Sequence, residues 1–153
     1  MSEVLFPVAQ VPELLTEEED LSVVYRPSLK WDFKTGDFVR NGANQVLESE
    51  GLDTYRTWCL KMVWTERFEC LAYPDEIGVE MEEALEDSDM DTVMSAIERT
   101  ITECLMVNPR TEYVRGFDFS WEGDSIYCSF LVKGIDFDEF EISMEVNADG
   151  EGI

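Results

Sequence analysis

Four acidic side chains in the middle of the chain have the spacing of metal ligands. Asp87, Asp89 and Asp91 alternate, and Glu98 follows, which matches the carboxylate positions of a helix-loop-helix calcium loop. Thr92 occupies the position where that loop needs glycine for its sharp bend. Acidic residues are also favourable at the positive N-terminal end of a helix. We therefore favour a helix start, predict no cofactor and no metal, and keep cation binding by these four carboxylates as the open alternative.

Paired carboxylates elsewhere have the residue types needed for glycoside hydrolysis. The candidates are Glu66, Glu69, Asp75, Glu76 and Glu80. Because the chain contains 35 acidic residues, such pairs also arise by chance. A working general acid needs an apolar pocket that raises its pKa, and residue spacing does not reveal one. We therefore predict no catalytic residues.

The chain has no histidine, which excludes histidine-based catalytic triads and histidine-metal sites. Its four cysteines lie far apart without a CxxC pair, at positions 59, 70, 104 and 128. A chain of this size does not need disulfide bonds, and the spacing lacks the knuckles of a zinc site. We predict reduced, mostly buried thiols.

The tryptophans and one arginine are the remaining candidates for binding. Trp31, Trp58, Trp64 and Trp121 could stack on a carbohydrate, but most fall on predicted apolar faces, which favours core packing. Arg110 lies between a predicted helix and a predicted sheet in a chain with only 11 basic residues. A guanidinium there could fork onto carboxylates or carbonyls of a partner. A local ion pair or a helix C-terminal contact is the alternative.

Two amphipathic helices are predicted from apolar residues that recur at three- and four-residue steps. The first spans about 51–64 and the second about 91–106. The apolar stripes consist of Leu52, Tyr55, Cys59, Met62 and Val63 in the first helix and of Val93, Met94, Ile97, Ile101, Cys104 and Leu105 in the second. Asp89 or Asp91 can cap the second helix, and Pro109 ends it. The stretch 65–90 is predicted to be irregular, with a short helical turn.

Alternating apolar residues predict strands on both sides of the helices. Residues 29–33 and 38–39 flank a Thr35-Gly36-Asp37 turn and predict a small hairpin. After the second helix, the runs 117–121, 126–132 and 140–146 are separated by glycine-containing turns, which predicts an antiparallel meander with one buried face. Helices followed by a meander indicate an α+β fold.

Size and charge limit the class of protein further. A chain of 153 residues with 44% hydrophobic residues fits one domain. Its formal net charge of −24 repels nucleic acid and anionic membranes, so neither is a predicted partner.

The sequence shows no signal peptide and no run of transmembrane length, so we expect synthesis in the cytoplasm. We predict an extended arm over 1–27, one α+β domain over 28–146 and a frayed tail over 147–153.

Several short motifs occur in a characteristic order across about residues 28–146. They are Thr65-Glu66-Arg67, residues 73–78, Asn108-Pro109-Arg110 and the run FDFSWEGDSIYCSFLV. In this order the chain resembles the baseplate wedge and sheath-initiator family of contractile phage tails, small proteins often labelled lysozyme-like, and especially their relatives in Gram-positive prophages and tailocins. The family tripeptide is Glu-Pro-Arg, and here Asn108 replaces the glutamate. Any ion pair of that glutamate therefore does not carry over.

This resemblance implies a structural protein that is not an enzyme. It implies about six copies around the tail tube, with Asn108, Pro109 and Arg110 as the partner-binding corner on the helical bundle of the wedge proteins. The sheet would offer strand edges that template the first ring of the tail sheath. The implied partners are baseplate wedge proteins, the tail sheath protein, and tube or hub proteins. The expected location is the virion baseplate, after assembly in the host cytoplasm.

Two other functions remain open at this point. The lysozyme-like label allows a peptidoglycan-degrading enzyme, which a lysis assay with carboxylate-to-amide variants would detect. A host regulatory binding module is the other alternative, and genes for sheath, tube and wedge proteins beside this one would argue against it.

Overall fold

Residues 26–147 are described in the computed structural model of the chain. The predicted arm and tail lie almost wholly outside these residues. The described part has an α+β fold, as predicted, with three helices and a three-stranded antiparallel sheet at its C-terminal end. The elements in chain order are β1 Ser28–Leu29, β2 Trp31–Asp32, β3 Asp37–Phe38, β4 Glu48–Ser49, α1 Leu52–Val63, α2 Met81–Leu85, α3 Met90–Met106, β5 Thr111–Glu122, β6 Ser125–Gly134 and β7 Phe140–Asn147.

The N-terminal strands are short and form two separate pairs. The predicted hairpin is confirmed as the antiparallel pair β2–β3, in which Trp31 lies opposite Phe38. Gly36 has a φ of 67° in the turn and donates its N–H to Asp32 O over 2.9 Å, so glycine relieves the strain of a left-handed residue there. The sequence did not predict the pair β1–β4, because these two-residue strands lie on either side of the hairpin and no turn joins them directly.

Helices α1 and α3 begin and end close to the predicted residues. Their stripes are buried as expected, except that Leu52 and Met94 are only half-buried. Asp89 is the N-cap of α3, and its carboxylate accepts the Thr92 N–H, as predicted. The stretch between the helices is irregular apart from the five-residue helix α2. No helix within residues 26–147 combines the length and the apolar character needed to cross a membrane.

The sheet has the order β5-β6-β7, which confirms the predicted meander. Strand β5 starts at Thr111, well before the predicted run. Gly116, at a φ of 68°, lies in a register shift between Arg115 and Asp118. Such a bulge changes the face on which the following side chains lie, so the alternation visible in the sequence begins only after it.

The core lies between one face of the sheet and helices α1 and α3. It contains Tyr55, Ile97, Ile101, Leu105 and Phe130, each with at most 1% of its surface exposed. Burial of these side chains holds the helices on the sheet. The opposite face of the sheet carries polar side chains in alternation, as in the pattern of β7.

Candidate functional site

The Asn108-Pro109-Arg110 segment forms a tight corner between α3 and β5. Asn108 accepts two backbone N–H groups: its side-chain Oδ1 accepts from Arg110 N at 3.0 Å, and its main-chain oxygen accepts from Thr111 N at 2.9 Å. The Asn108 side chain thus fixes the turn itself. Pro109 is exposed, and Asn108 and Arg110 are half-buried.

Hydrogen bonds also attach the corner to α1 and to the turn between β6 and β7. The Tyr55 hydroxyl on α1 lies 2.7 Å from the Thr111 hydroxyl in a buried hydrogen bond. The main-chain oxygen of Arg110 accepts a hydrogen bond of 2.9 Å from the N–H of Ile135, which lies in the turn between β6 and β7. The backbone that carries Arg110 is therefore attached to a helix, to a strand and to a neighbouring turn, which fixes where its side chain begins.

Further charged residues gather at the same end of the sheet. Arg115 Nη2 lies 2.9 Å from Glu139 Oε2, which also accepts the Tyr113 hydroxyl at 2.8 Å. The hydrogen bond from Tyr113 and the charge of Arg115 hold the pKa of Glu139 below its usual value. Lys133 pairs with Glu112 across β5 and β6. The sequence did not predict this cluster, because the start of β5 and its register with β6 were not visible.

The Thr65-Glu66-Arg67 segment is built into the fold rather than exposed as a site. Arg67 donates Nε to Gly78 O and Nη1 to Glu80 Oε1, each over 3.2 Å, and its side chain is mostly buried. The backbone N–H of Arg67 donates to Val79 O at 2.8 Å, and the N–H of Val79 donates to Thr65 O at 2.9 Å. We call these contacts the Arg67 clamp. They close the base of the loop that runs from 68 to 77.

The candidate hydrolytic carboxylates have structural contacts or lie in solvent. Glu66 accepts Met81 N–H at 3.1 Å and Glu82 N–H at 3.3 Å, at the start of α2. Burial raises the pKa of Glu66, a property that a general acid needs, but both of its oxygens already accept main-chain hydrogen bonds. Glu80 pairs with Arg67. The remaining candidates Glu69, Asp75 and Glu76 are exposed.

The aspartates with the spacing of a calcium loop lie at the start of helix α3. Asp89 Oδ2 accepts the Thr92 N–H at 3.1 Å and the Thr92 hydroxyl at 2.8 Å, while Asp87 Oδ1 accepts the Asp89 N–H at 3.0 Å. Within residues 26–147, no group of three or more Cys, Asp or Glu side chains is arranged to hold a metal ion. These contacts support the capping role of the acidic residues.

All four cysteines are free of disulfide bonds, and three of them are buried, as predicted. Burial raises the pKa of Cys59 and Cys128 to about 12 and that of Cys104 to about 11. These three thiols therefore stay protonated and unreactive near neutral pH. Cys70 is exposed.

The tryptophan prediction was only partly right. Trp58 packs against the core, whereas Trp64 and Trp121 are each more than one third exposed. Trp31 and Trp64 pair edge-on with Phe38 and Phe33, with ring centroids 4.9 Å apart in both cases. Trp64 at the C-terminal end of α1 and Trp121 in β5 are thus covered incompletely.

Comparison with known proteins identifies a family and a relative of this chain. The family model described as contractile injection system sheath initiator matches residues 28–136. The chain is also 25% identical over 131 residues to the phage-like element PBSX protein XkdS of Bacillus subtilis (strain 168). That alignment covers 84% of this chain and 87% of the relative.

Proposed function

The chain belongs to the contractile injection system sheath initiator family, and we propose that it joins the baseplate wedge to the tail sheath and templates sheath assembly by strand pairing. Members of this family are structural components of contractile injection systems, and the family name implies contact with the sheath. The proposed partners are wedge proteins at the Asn108-Pro109-Arg110 corner, the sheath protein at the edge of the C-terminal sheet, and tube or hub proteins. We propose about six copies around the tail tube of the virion.

The observation that carries the strand-pairing proposal is the outer edge of β7. This strand pairs with β6 over eight consecutive residues without a register shift. Within residues 26–147 no strand pairs with its other edge. A regular edge of this kind presents unpaired N–H and C=O groups, on which an added strand can form main-chain hydrogen bonds.

The register indicates which groups of β7 face outward. Glu122 and Ser125 flank the two-residue turn Gly123-Asp124, in which Gly123 has a φ of 62°. The residues that flank such a turn form a hydrogen-bonded pair, so Ser125 directs its main-chain groups toward β5. By alternation, Ile126 and the other buried residues of β6 direct theirs toward β7. The exposed residues of β7 then direct their N–H and C=O groups to the open edge.

The other edge of the sheet is less suited to templating. Strand β5 has register shifts between Thr111 and Tyr113 and between Arg115 and Asp118. Bulges twist an edge strand and interrupt the regular row of donors and acceptors that an incoming strand needs. We therefore propose β7 as the strand that pairs with the sheath.

A proline at Ser143 tests this directly. Ser143 is exposed in the middle of β7, and proline would remove its outward N–H while leaving the bonds to β6 in place. We expect Ser143→Pro to fold and to enter baseplates, but to lose sheath polymerisation as seen by electron microscopy of particles. Ser143→Ala keeps the N–H and should assemble normally. A folded Ser143→Pro chain that starts sheath as well as the wild type would refute pairing through β7.

The corner is tested by changing its arginine. We expect Arg110→Ala to remain folded and to reduce incorporation into baseplates, with Arg110→Lys only partly restoring it, because lysine lacks the planar fork of donors. Arg99, which is exposed on α3, provides the control Arg99→Ala. Normal baseplate content of the Arg110→Ala chain would rule out this corner as the wedge contact.

We propose that the protein is not an enzyme. This is supported by Glu66 and Glu80, the partly buried carboxylates of the hydrolase hypothesis, because both hold the base of a loop. The purified chain should release no soluble fragments from peptidoglycan. Turnover that is abolished by Glu66→Gln or Glu80→Gln in a chain that remains folded would overturn this proposal.

A further inference from the structure

The loop that follows the Arg67 clamp exposes three large apolar side chains. Phe68 is 62% exposed, Leu71 is 100% exposed and Tyr73 is 54% exposed. Single exposed apolar residues are common, but three within six positions form a local patch that is costly to leave in water. We call residues 68–73 the apolar loop.

The apolar loop is held in place at its base. Arg67 bonds to Gly78 O and Glu80 on the returning segment, and Tyr73 N–H donates to Cys70 O at 3.0 Å inside the loop. Phe68 has a φ of 71°, a conformation that bulky residues seldom adopt. Because these hydrogen bonds restrain the loop within the chain itself, binding through it costs less conformational entropy than binding through an unrestrained segment.

The charges around the apolar loop indicate the kind of surface that fits it. Glu69 lies within the loop, and Asp75 and Glu76 follow it, all exposed. These carboxylates, in a chain of net charge −24, would be repelled by an anionic lipid surface. They complement basic residues at the rim of an apolar pocket on a protein.

We propose that Phe68, Leu71 and Tyr73 insert into an apolar pocket with a basic rim on another protein of the assembled particle. This would be a third contact surface, distinct in sequence from the β7 edge and from the Arg110 corner. Leu71 would be the central anchor, since its whole side chain is available for burial. The inference rests on the proposed function in one respect, namely that the particle supplies the partner.

Cys70 offers a direct readout, because it lies in the apolar loop and is the exposed thiol of a chain whose other three cysteines are buried. Maleimide labelling of the isolated chain should modify Cys70. In purified particles that contain the chain, we expect labelling of Cys70 to be slower by about tenfold or more, since docking of its neighbours would cover the thiol. Mass spectrometry of the tryptic peptide gives the extent of modification.

A pair of substitutions separates docking from general surface effects. Leu71→Ser should leave the unfolding transition unchanged and lower incorporation into particles by about tenfold, the effect of losing one anchoring side chain. Leu29→Ser changes an exposed leucine in β1 and should have little effect. Flotation with vesicles of phosphatidylcholine and phosphatidylglycerol should leave both the wild-type chain and the Leu71→Ser chain in the soluble fraction.

The outcomes distinguish this inference from the proposed function. If the chain is present in particles and Cys70 reacts there as fast as in the isolated chain, the docking inference is wrong while the proposed function stands. If the chain is absent from particles that carry sheath and baseplate, both are wrong. Leu71-dependent flotation with vesicles would show that the loop binds lipid and would also overturn the inference.

Discussion

Gly78 follows the loop that the Arg67 clamp closes, and its main-chain oxygen accepts the Nε–H of Arg67. Its φ of 100° belongs to a region that residues with a Cβ atom rarely adopt. A Cβ atom at this position would lie 2.5 Å from Thr65 O and 3.1 Å from Arg67 N, which are main-chain atoms. No side-chain movement relieves such contacts, so only glycine fits this position without a shift of the main chain.

We predict that Gly78→Ala destabilises the protein by roughly 3 kcal/mol or more, since strain at positive φ adds to the steric overlap. Gly36→Ala is the matched control, because Gly36 also has positive φ but no atom within 4 Å of its added Cβ. It should cost about 1–2 kcal/mol. Urea unfolding gives both values, and equal losses for the two variants would show that the contacts with Thr65 and Arg67 are not limiting.

At the scale of the element, the outcome of each sequence prediction follows from the range of the interactions involved. The limits of α1 and α3 were predictable, because their apolar periodicity and the cap at Asp89 are local in sequence. The first half of β5 was not, because the bulge at Gly116 shifts the alternation. The pair β1–β4 joins segments whose strands are two residues long. Local patterns therefore predicted the helices, the hairpin and the meander, and missed the pair β1–β4 and the first half of β5.

The capping of α3 gives a prediction at this scale. Asp89→Ala removes the acceptor of the Thr92 N–H and should destabilise the protein by about 1 kcal/mol. Asp91→Ala should cost only a few tenths of that, roughly 0.3 kcal/mol, because Asp91 interacts with the helix dipole without capping. Thermal unfolding measures both, with and without added Ca²⁺. A large rise in the midpoint with Ca²⁺ that both substitutions abolish would favour a cation site over the cap.

At the scale of the whole molecule, the α+β class and the meander followed from the order of elements, whereas the site required contacts between distant residues. Tyr55 meets Thr111 beneath the corner although the two are 56 positions apart. Arg115 and Glu139 meet because the segment between β6 and β7 folds back over the first half of β5. The resemblance to a family pointed to Arg110, but its surroundings depend on the tertiary fold, which periodicity does not encode.

The net charge of −24 predicts how salt acts on the fold. Repulsion among like charges opposes the compact state, and added salt screens it, because the Debye length falls from about 30 Å at 0.01 M to about 3 Å at 1 M. We expect the thermal midpoint of the isolated chain to rise with NaCl over this range. Replacing exposed acids on α3, as in Glu98→Lys with Glu103→Lys, should reduce the salt dependence. A midpoint that falls with NaCl would mean that ion pairs such as Arg67–Glu80 outweigh the repulsion.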